Sequence, residues 1–273
     1  MAKVKGGLHS DLVKGSVGPV THRLYRGVGT ASKHRSPSRK RLTKLWIKSP
    51  LDIGNCWSRH SADINHILRY DGDDAYLVSL ADQSHGFGAL SQSDLSFQPL
   101  WFSSDPARNN RPYILPDGVD DFLKSVPLAA SFFQPFEIWM VASTAGLISS
   151  RKVLVSFSEV ADAFFAYYGI AAVRYYWTLP SVLLLGGALT ENVVVWRLVL
   201  TASTIQLFVN GTPLTAPKAF SNVPFRNLRL FCERRGVYLW EKKLFEITTY
   251  RRILNPVESQ LLLSFYFDLY NLP

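Results

Sequence analysis

Carboxylates, imidazoles and thiols are the side chains that would carry proton-transfer or covalent chemistry in this chain. Retaining glycoside hydrolysis takes two carboxylates about 5 Å apart, one on each side of the scissile bond. Alternate residues of a β-strand share a face and would meet that need. None of Glu137, Glu159, Glu191, Glu233, Glu241, Glu246 and Glu258 is followed by a second acid two residues on. A strand-borne acid pair is therefore not expected, and the chain is read as no enzyme, with no catalytic residue. Asp117, Asp120 and Asp121 form an acidic cluster. Clustered oxygen donors suit calcium, but short Asp side chains also satisfy the amides of a tight turn. The second use is the expectation, with no metal and no cofactor. The six histidines are dispersed and show no HxxxH or HExxH spacing. Ser84-His85-Gly86 does not complete a G-x-S-x-G nucleophile elbow. Cys56 and Cys232 stand far apart without a CxxC or Cys/His cluster, which argues against a structural zinc. The two could form one disulfide across a sandwich, but nothing marks secretion, and buried thiols are the preferred reading.

Binding chemistry has better candidates. Tyr167, Tyr168, Tyr175, Tyr176 and Trp177 are crowded into two strand-like runs, and the apolar face of a sugar stacks on such rings. Strand alternation assigns about half of them to a core; Tyr167, Tyr175 and Trp177 are the glycan-binding candidates. The second candidate is charge. Residues 1–48 hold twelve Lys and Arg against the single acid Asp11, a balance of +11, while the remainder sits at −2. Such asymmetry points to an acidic partner. Lys14, Arg23, Arg26, Lys33, Arg35, Arg39, Lys40 and Arg41 are the residues expected to anchor this arm. They would neutralise phosphates, but only Tyr25 is interleaved for base stacking, so nucleic acid is the lesser reading. The preferred one is that the arm threads into a neighbouring subunit and adds strands to a sheet edge.

These residues must be positioned by a β-rich scaffold. The chain has 273 residues, 47% hydrophobic and 13% aromatic, with 17 Gly and 15 Pro, which is ample for a packed core of strands joined by tight turns. Residues 2–44 are Gly-punctuated and without apolar periodicity, and are expected to be disordered or extended in isolation. Residues 46–123 read as loop-rich. From Pro135 on, strands are expected at Phe136–Ala142, Lys152–Phe157, Ala163–Tyr168, Ala171–Trp177, Val193–Thr201, Thr204–Val209, Asn227–Cys232 and Val237–Thr249. Asn210-Gly211 suits a type I′ turn. Asn255-Pro256-Val257-Glu258 is a helix start, with Asn at N-cap and Glu at N3. Val257, Leu261, Leu262, Phe265 and Leu269 would form the buried face of that helix. The apolar runs Val182–Leu189 and Val193–Leu200 are too short to span a bilayer, and the charged N-terminus has no signal-peptide core.

Three strings add a resemblance. Asp117-Gly118-Val119-Asp120-Asp121-Phe122-Leu123, the hairpin Ile205-Gln206-Leu207-Phe208-Val209-Asn210-Gly211 after Trp196, and Phe245–Leu254 followed by Asn255-Pro256-x-Glu258 resemble signatures of the concanavalin A-like, laminin G-type family. Pro116 replaces the family's usual aromatic or aliphatic residue, and the Gly that opens the closing signature is missing. The resemblance implies an all-β, antiparallel two-sheet jelly-roll sandwich over residues 46–273, with an extended basic N-terminal arm over 1–45 and a C-terminal helix. The opening MAKVKG, then Lys14–Gly18 and Tyr25–Gly27, resembles small structural proteins of tailed bacteriophages, although Ser36-Pro37-Ser38-Arg39 stands where those carry a Pro-Asn stretch. That likeness implies a non-enzymatic virion component of the head or tail, assembled with other virion subunits and as a homo-oligomer, localised to the virion and not to a membrane. The alternative is a lectin-like adhesin for a surface glycan.

Overall fold

The computed structural model describes residues 2–3, 16–17, 20–25, 28–33, 49–63, 66–84, 86–133, 135–143, 152–157, 164–170, 172–178, 182–186, 193–214, 216–219, 224–232 and 240–273, with only the backbone described in 2–33, at Lys152 and in 164–186. Two compact units divide at Trp46/Ile47. In the first, four antiparallel strands pair in the order Ala2–Lys3, Val28–Lys33, Val20–Tyr25, Ser16–Val17. Among the described residues of this segment, Arg23 stands opposite Thr30 and Lys33 opposite Val20. The other six anchoring residues lie outside the described residues.

The second unit, Ile47–Pro273, is antiparallel β-structure with one C-terminal helix. Its central run of strands is Thr204–Val209, Val193–Leu200, Phe136–Ser143, Leu244–Tyr250 and Cys56–Ser61, paired in that order. A second run pairs His66–Asp71, Asp74–Leu80, Leu90–Ser91, Leu123–Ser125, Arg229–Leu230 and Lys152–Ser156. It continues through Phe164–Ile170, Ala172–Thr178 and Val182–Gly186. Leu100–Asp105 and Arg111–Leu115 pair with each other and join the runs, through Tyr76 opposite Leu100 and Ile114 opposite Leu244.

Alternation along Phe136–Ser143 explains how that strand is buried on both faces. In Phe136–Ser143 every residue is buried. Phe136, Ile138, Met140 and Ala142 point into a large apolar cluster shared with Leu77, Leu90, Leu123, Val155 and Leu230 of the second run. Trp139 and Val141 point the other way, into a cluster with Phe245, Leu262, Tyr266 and Tyr270. The helix therefore covers the face that the second run leaves open.

That helix spans Pro256–Tyr270 and begins as its sequence implies. The Glu258 amide donates to Asn255 Oδ1 at 3.0 Å, and the Asn255 amide donates to Glu258 Oε2 at 2.9 Å. Its buried line is Ser259, Leu262, Tyr266 and Tyr270, which keeps Leu262 of the expected face, with Phe265 and Leu269 packed beside it. Leu261, Phe265 and Leu269 are half-buried at the flanks, and Val257 is 59% exposed. The stripe is rotated because the sheet beneath it carries a buried carboxylate, which tyrosine hydroxyls satisfy and leucines would not. Asn210 and Gly211 have φ of 49° and 81°, as a type I′ turn requires. A Cβ on Gly211 would stand 2.5 Å from Leu263 Cδ2, so glycine also lets the turn approach the helix.

Two sequence expectations are corrected in detail. The stretch read as loop-rich holds strands at Cys56–Ser61, His66–Asp71, Asp74–Leu80, Leu100–Asp105 and Arg111–Leu115. His66–Asp71 has no buried residue, so its sequence lacks the apolar alternation that marks a strand. Within Asn227–Cys232 only Arg229–Leu230 pairs as strand. Both cysteines are thiols; Cys232 is buried, and burial pushes the half-buried Cys56 up to about 12.

The packing orders three substitutions. Leu262→Ala should cost about 2–5 kcal/mol through the cavity it leaves, Asn255→Ala about 1 kcal/mol through the lost cap, and Val257→Ala close to nothing. Urea unfolding of the full chain checks that order; Val257→Ala proving the costliest would place the helix face wrongly.

Candidate functional site

A groove of about 520 Å³ opens beside the hairpin of His66–Asp71 and Asp74–Leu80, lined by Arg69, Asp71, Tyr76, Leu95, Ser96, Gln98, Leu100, Asp117 and Asp121. Antiparallel register places Arg69 directly across from Tyr76, so both side chains leave the same face of the ribbon. The Arg69 guanidinium carbon lies 4.4 Å from the Tyr76 ring centroid. Its Nε donates to Gln98 Oε1 at 3.0 Å, and Nη1 reaches Asp71 Oδ2 at 3.5 Å. Gln98, 2% exposed, is itself fixed by donating to the Gln92 carbonyl at 2.9 Å. The neighbouring wall is a single helical turn, Leu95–Phe97, capped by Asp94, which accepts from the Ser96 amide and hydroxyl.

The opposite wall is the Asp117–Asp121 loop. Asp117 Oδ1 accepts from the amides of Val119 and Asp120 at 2.8 and 3.2 Å, and Asp121 Oδ2 accepts from the Asp117 amide at 2.8 Å. Asp117 and Asp121 thus serve as turn acceptors, the use expected of the cluster. Gly118, at φ +77°, supplies the left-handed residue of the turn. Donor oxygens of Asp117, Asp120 and Asp121 all lie within 4.8 Å of one another, close enough to share a hard cation. Burial pushes the Asp121 carboxyl up to about 6, helped by the Asp117 and Asp120 carboxylates and opposed by the Asp117 amide. Asp120 is raised by its partial burial and then by Asp117 and Asp94. Neither Asp117 nor Asp121 has a cationic partner among the described residues. Leu95, 59% exposed, and Leu100 add apolar surface to the lining. The groove thus combines an aromatic ring, a fixed amide, carboxylate acceptors and apolar walls, the mixture with which pockets orient polar organic ligands.

Sequence reasoning did not find Arg69, Tyr76 or Gln98. The signal for them was the Asp71-Gly72-Asp73-Asp74 turn, with Gly72 at φ +63°, which marks a hairpin and so sets Arg69 opposite Tyr76. The aromatic candidates lie elsewhere. Tyr167 is opposite Tyr175 and Phe165 opposite Trp177, so by strand alternation Tyr167, Tyr175 and Trp177 share one sheet face; their side chains are outside the described residues, as is His85.

No protein-family model matches the chain, and no curated protein matches it in sequence. Solved structures match in fold. The Trypanosoma rangeli sialidase in complex with 2,3-difluoro-KDN aligns with a TM-score of 0.51 and 13% identity over 77% of this chain. This chain spans only 32% of that sialidase. Domain 4 of AbnA, a GH43 extracellular arabinanase from Geobacillus stearothermophilus in complex with arabinotriose, aligns with a TM-score of 0.54 and 10% identity, over 78% of this chain and 98% of that domain. A mutant GH54 α-L-arabinofuranosidase soaked with 4-nitrophenyl α-L-arabinofuranoside aligns with a TM-score of 0.55 and 8% identity, over 79% and 63%. At such identities the likeness establishes the fold. It also overturns the expectation of no enzyme, which rested on a missing acid spacing: the matching chains are glycoside hydrolases or a domain of one.

The raised Asp121 carboxyl gives a signed pH dependence. A folded pKa above the unfolded value makes a stabilising contribution at low pH that is lost as pH rises through the folded pKa. Asp121→Asn keeps an acceptor for the Asp117 amide and removes the charge. The melting temperature of Asp121→Asn relative to wild type should therefore increase between about pH 4 and about pH 8. A difference that stays flat over that range would show that the carboxyl is not strained in the fold.

Proposed function

We propose that the unit Ile47–Pro273 is a saccharide-binding, concanavalin A-like jelly roll in which the two runs of strands form the two sheets. The observation that carries the reading is the likeness to a whole arabinanase domain in complex with arabinotriose. The Arg69–Tyr76–Gln98–Asp71 groove is the binding site on this reading. Its Asp and Gln oxygens accept from sugar hydroxyls, and the Gln and Arg N–H groups donate to ring and hydroxyl oxygens. Tyr76 and Leu95 meet the apolar sugar face. The shared face of Tyr167, Tyr175 and Trp177 is the competing platform.

A second reading, supported by the +11 balance of residues 1–48 and the phage-like strings there, is that the same module is carried on a virion of a tailed bacteriophage and anchored by its arm. The two are compatible, because a projecting jelly roll can bind a host glycan.

Calorimetric titration of the full chain with arabinotriose and with a panel of neutral oligosaccharides tests the first reading, with release of reducing ends followed in the same samples. Tyr76→Ala should weaken binding about tenfold or more, the scale of losing one stacked ring, while Tyr167→Ala leaves it unchanged. The reverse pattern moves the site to the tyrosine face, and no binding across the panel removes the reading. For the second reading, deletion of residues 1–44 should abolish incorporation into particles; incorporation at normal copy number would refute the anchor.

A further inference from the structure

Most of the described arginines of the Ile47–Pro273 unit are committed. Arg59, Arg69, Arg111, Arg197 and Arg252 are held in ion pairs, and Arg108 and Arg226 donate to backbone carbonyls. Arg251 differs. It is exposed, and among the described residues no oxygen accepts from it. Its guanidinium carbon lies 4.6 Å from the centroid of the Trp57 ring and 4.6 Å from that of Phe132. Those rings are 5.4 Å apart and inclined at 61°, so the guanidinium rests in a notch with an outer edge free.

The notch is built from fixed parts. Phe132 is 5% exposed, stacks on Phe225 at 5.3 Å, and exchanges two backbone hydrogen bonds with it at 3.0 and 2.8 Å. Trp57 sits on the strand Cys56–Ser61 and meets Phe87 edge-on at 6.3 Å. Arg251 follows directly on the strand Leu244–Tyr250. The next residue, Arg252, is pinned by two 2.7 Å bonds to Glu258 and one of 2.8 Å to the Gly54 carbonyl. An arginine on a mobile stem loses rotamer entropy each time it captures an anion, and here aromatic contact on one side has already restricted it. Phe133, 49% exposed, is the next residue after Phe132 and adds apolar surface.

We infer that Arg251, seated in the Trp57–Phe132 notch, is a binding point for a carboxylate carried by an acidic saccharide. The planar fork matches a carboxylate with two parallel N–H···O bonds. Among the described residues Arg251 is the one cation of the notch without an ion pair; it balances one carboxylate charge and falls short of a phosphate dianion, since Arg252 is held by Glu258. An apolar ring beside an anion site suits a sugar whose carboxylate leaves one edge and whose C–H face lies flat. The inference deepens the saccharide reading and rests on it, but at a position other than the Arg69–Tyr76 groove.

The test uses the full chain, an oligogalacturonide, its methyl ester, a neutral oligosaccharide and inorganic phosphate. The acid should bind at least about tenfold more tightly than its ester, the scale of one charge-assisted bidentate pair. R251Q should abolish that preference and R251K should lose most of it, although Lys keeps the charge. R251K should leave the melting temperature unchanged, which separates a binding role from a structural one, and it remains the informative variant where R251Q folds poorly. Equal binding of acid and ester by the wild type, or an acid preference that survives R251Q and R251K, refutes the Arg251 site while leaving saccharide binding intact. Phosphate competing as well as the oligogalacturonide would make it a general anion site and refute the saccharide assignment. Failure of every saccharide, neutral ones included, removes both readings.

Discussion

The architecture depends on one buried carboxylate. Glu246 is 1% exposed in the middle of the strand Leu244–Tyr250, on the face covered by the helix. An isolated carboxylate there would be several kcal/mol too costly. It is instead surrounded: Arg59 Nε and Nη2 donate to its two oxygens at 2.8 and 3.0 Å, Thr248 Oγ1 donates at 3.2 Å, and the Tyr270 hydroxyl donates at 3.1 Å. The Tyr266 hydroxyl completes the set through Thr248 at 2.9 Å. These donors come from three places in the chain, the Cys56–Ser61 strand, the Leu244–Tyr250 strand and the C-terminal helix. Burial opposes the Arg59 charge, but the Glu246 carboxylate more than compensates and holds the guanidinium firmly protonated. Replacing the pair with apolar residues could be neutral for stability, whereas losing one partner would cost about 3–5 kcal/mol. The pair therefore specifies where the helix docks more than it adds to stability.

A second buried carboxylate repeats the device. Glu137, fully buried, accepts from Arg197 Nε at 2.9 Å, from Trp139 Nε1 at 2.6 Å and from the Leu254 amide at 2.9 Å. The last bond ties the chain just before the helix to the central strand. Arg197 also lies 4.9 Å from the Phe208 ring and 5.2 Å from that of Trp139. Burial raises the Glu137 carboxyl despite Arg197 and these donors. Together the two glutamates fix the start and the body of the helix against the sheet, which is why its buried line follows Leu262, Tyr266 and Tyr270 and not the greasier residues beside them.

That displacement shows where the sequence was readable. The helix start was legible because Asn255, Pro256 and Glu258 act locally, and local chemistry is visible in a short window. The strands Phe136–Ser143 and Val193–Leu200 were legible because burial on both faces leaves continuous apolar runs. The helix face was misread because its determinant, Glu246, lies upstream on a strand and announces itself only through tertiary burial. The hairpin His66–Leu80 was missed for the opposite reason: it lies at the margin of its sheet with no buried residue in its first strand, so its alternation is too weak to register. The groove followed the same fate, since Arg69, Tyr76 and Gln98 converge from that hairpin and from the loop before Leu100. The acidic loop at Asp117 was legible in its turn chemistry, because Asp and Gly act there within a few residues.

Burial on both faces also constrains where this unit can meet a ligand. The strands Val193–Leu200, Phe136–Ser143 and Leu244–Tyr250 are covered by the apolar cluster on one side and by the helix on the other, so neither of their faces is open. Their buried glutamates are satisfied by arginine and tyrosine and have no acceptor capacity to offer outward. Contact with a partner must therefore use the second run, the hairpins, the strand ends or the outer strands of the central run. The acidic groove is at a hairpin, and the Arg251 notch stands where the strand Leu244–Tyr250 ends. They carry opposite charge: among the described residues Asp117 and Asp121 are without cationic partners on one, and Arg251 is without an anionic partner on the other. Of these groups the buried Asp121 is the one whose charge the fold opposes, while the exposed Asp117 and Arg251 are solvated and open to an opposite or hydrogen-bonding partner. The interior is paired around Glu137 and Glu246, and the unpaired charge of these two sites is at the margins, where a ligand can reach it.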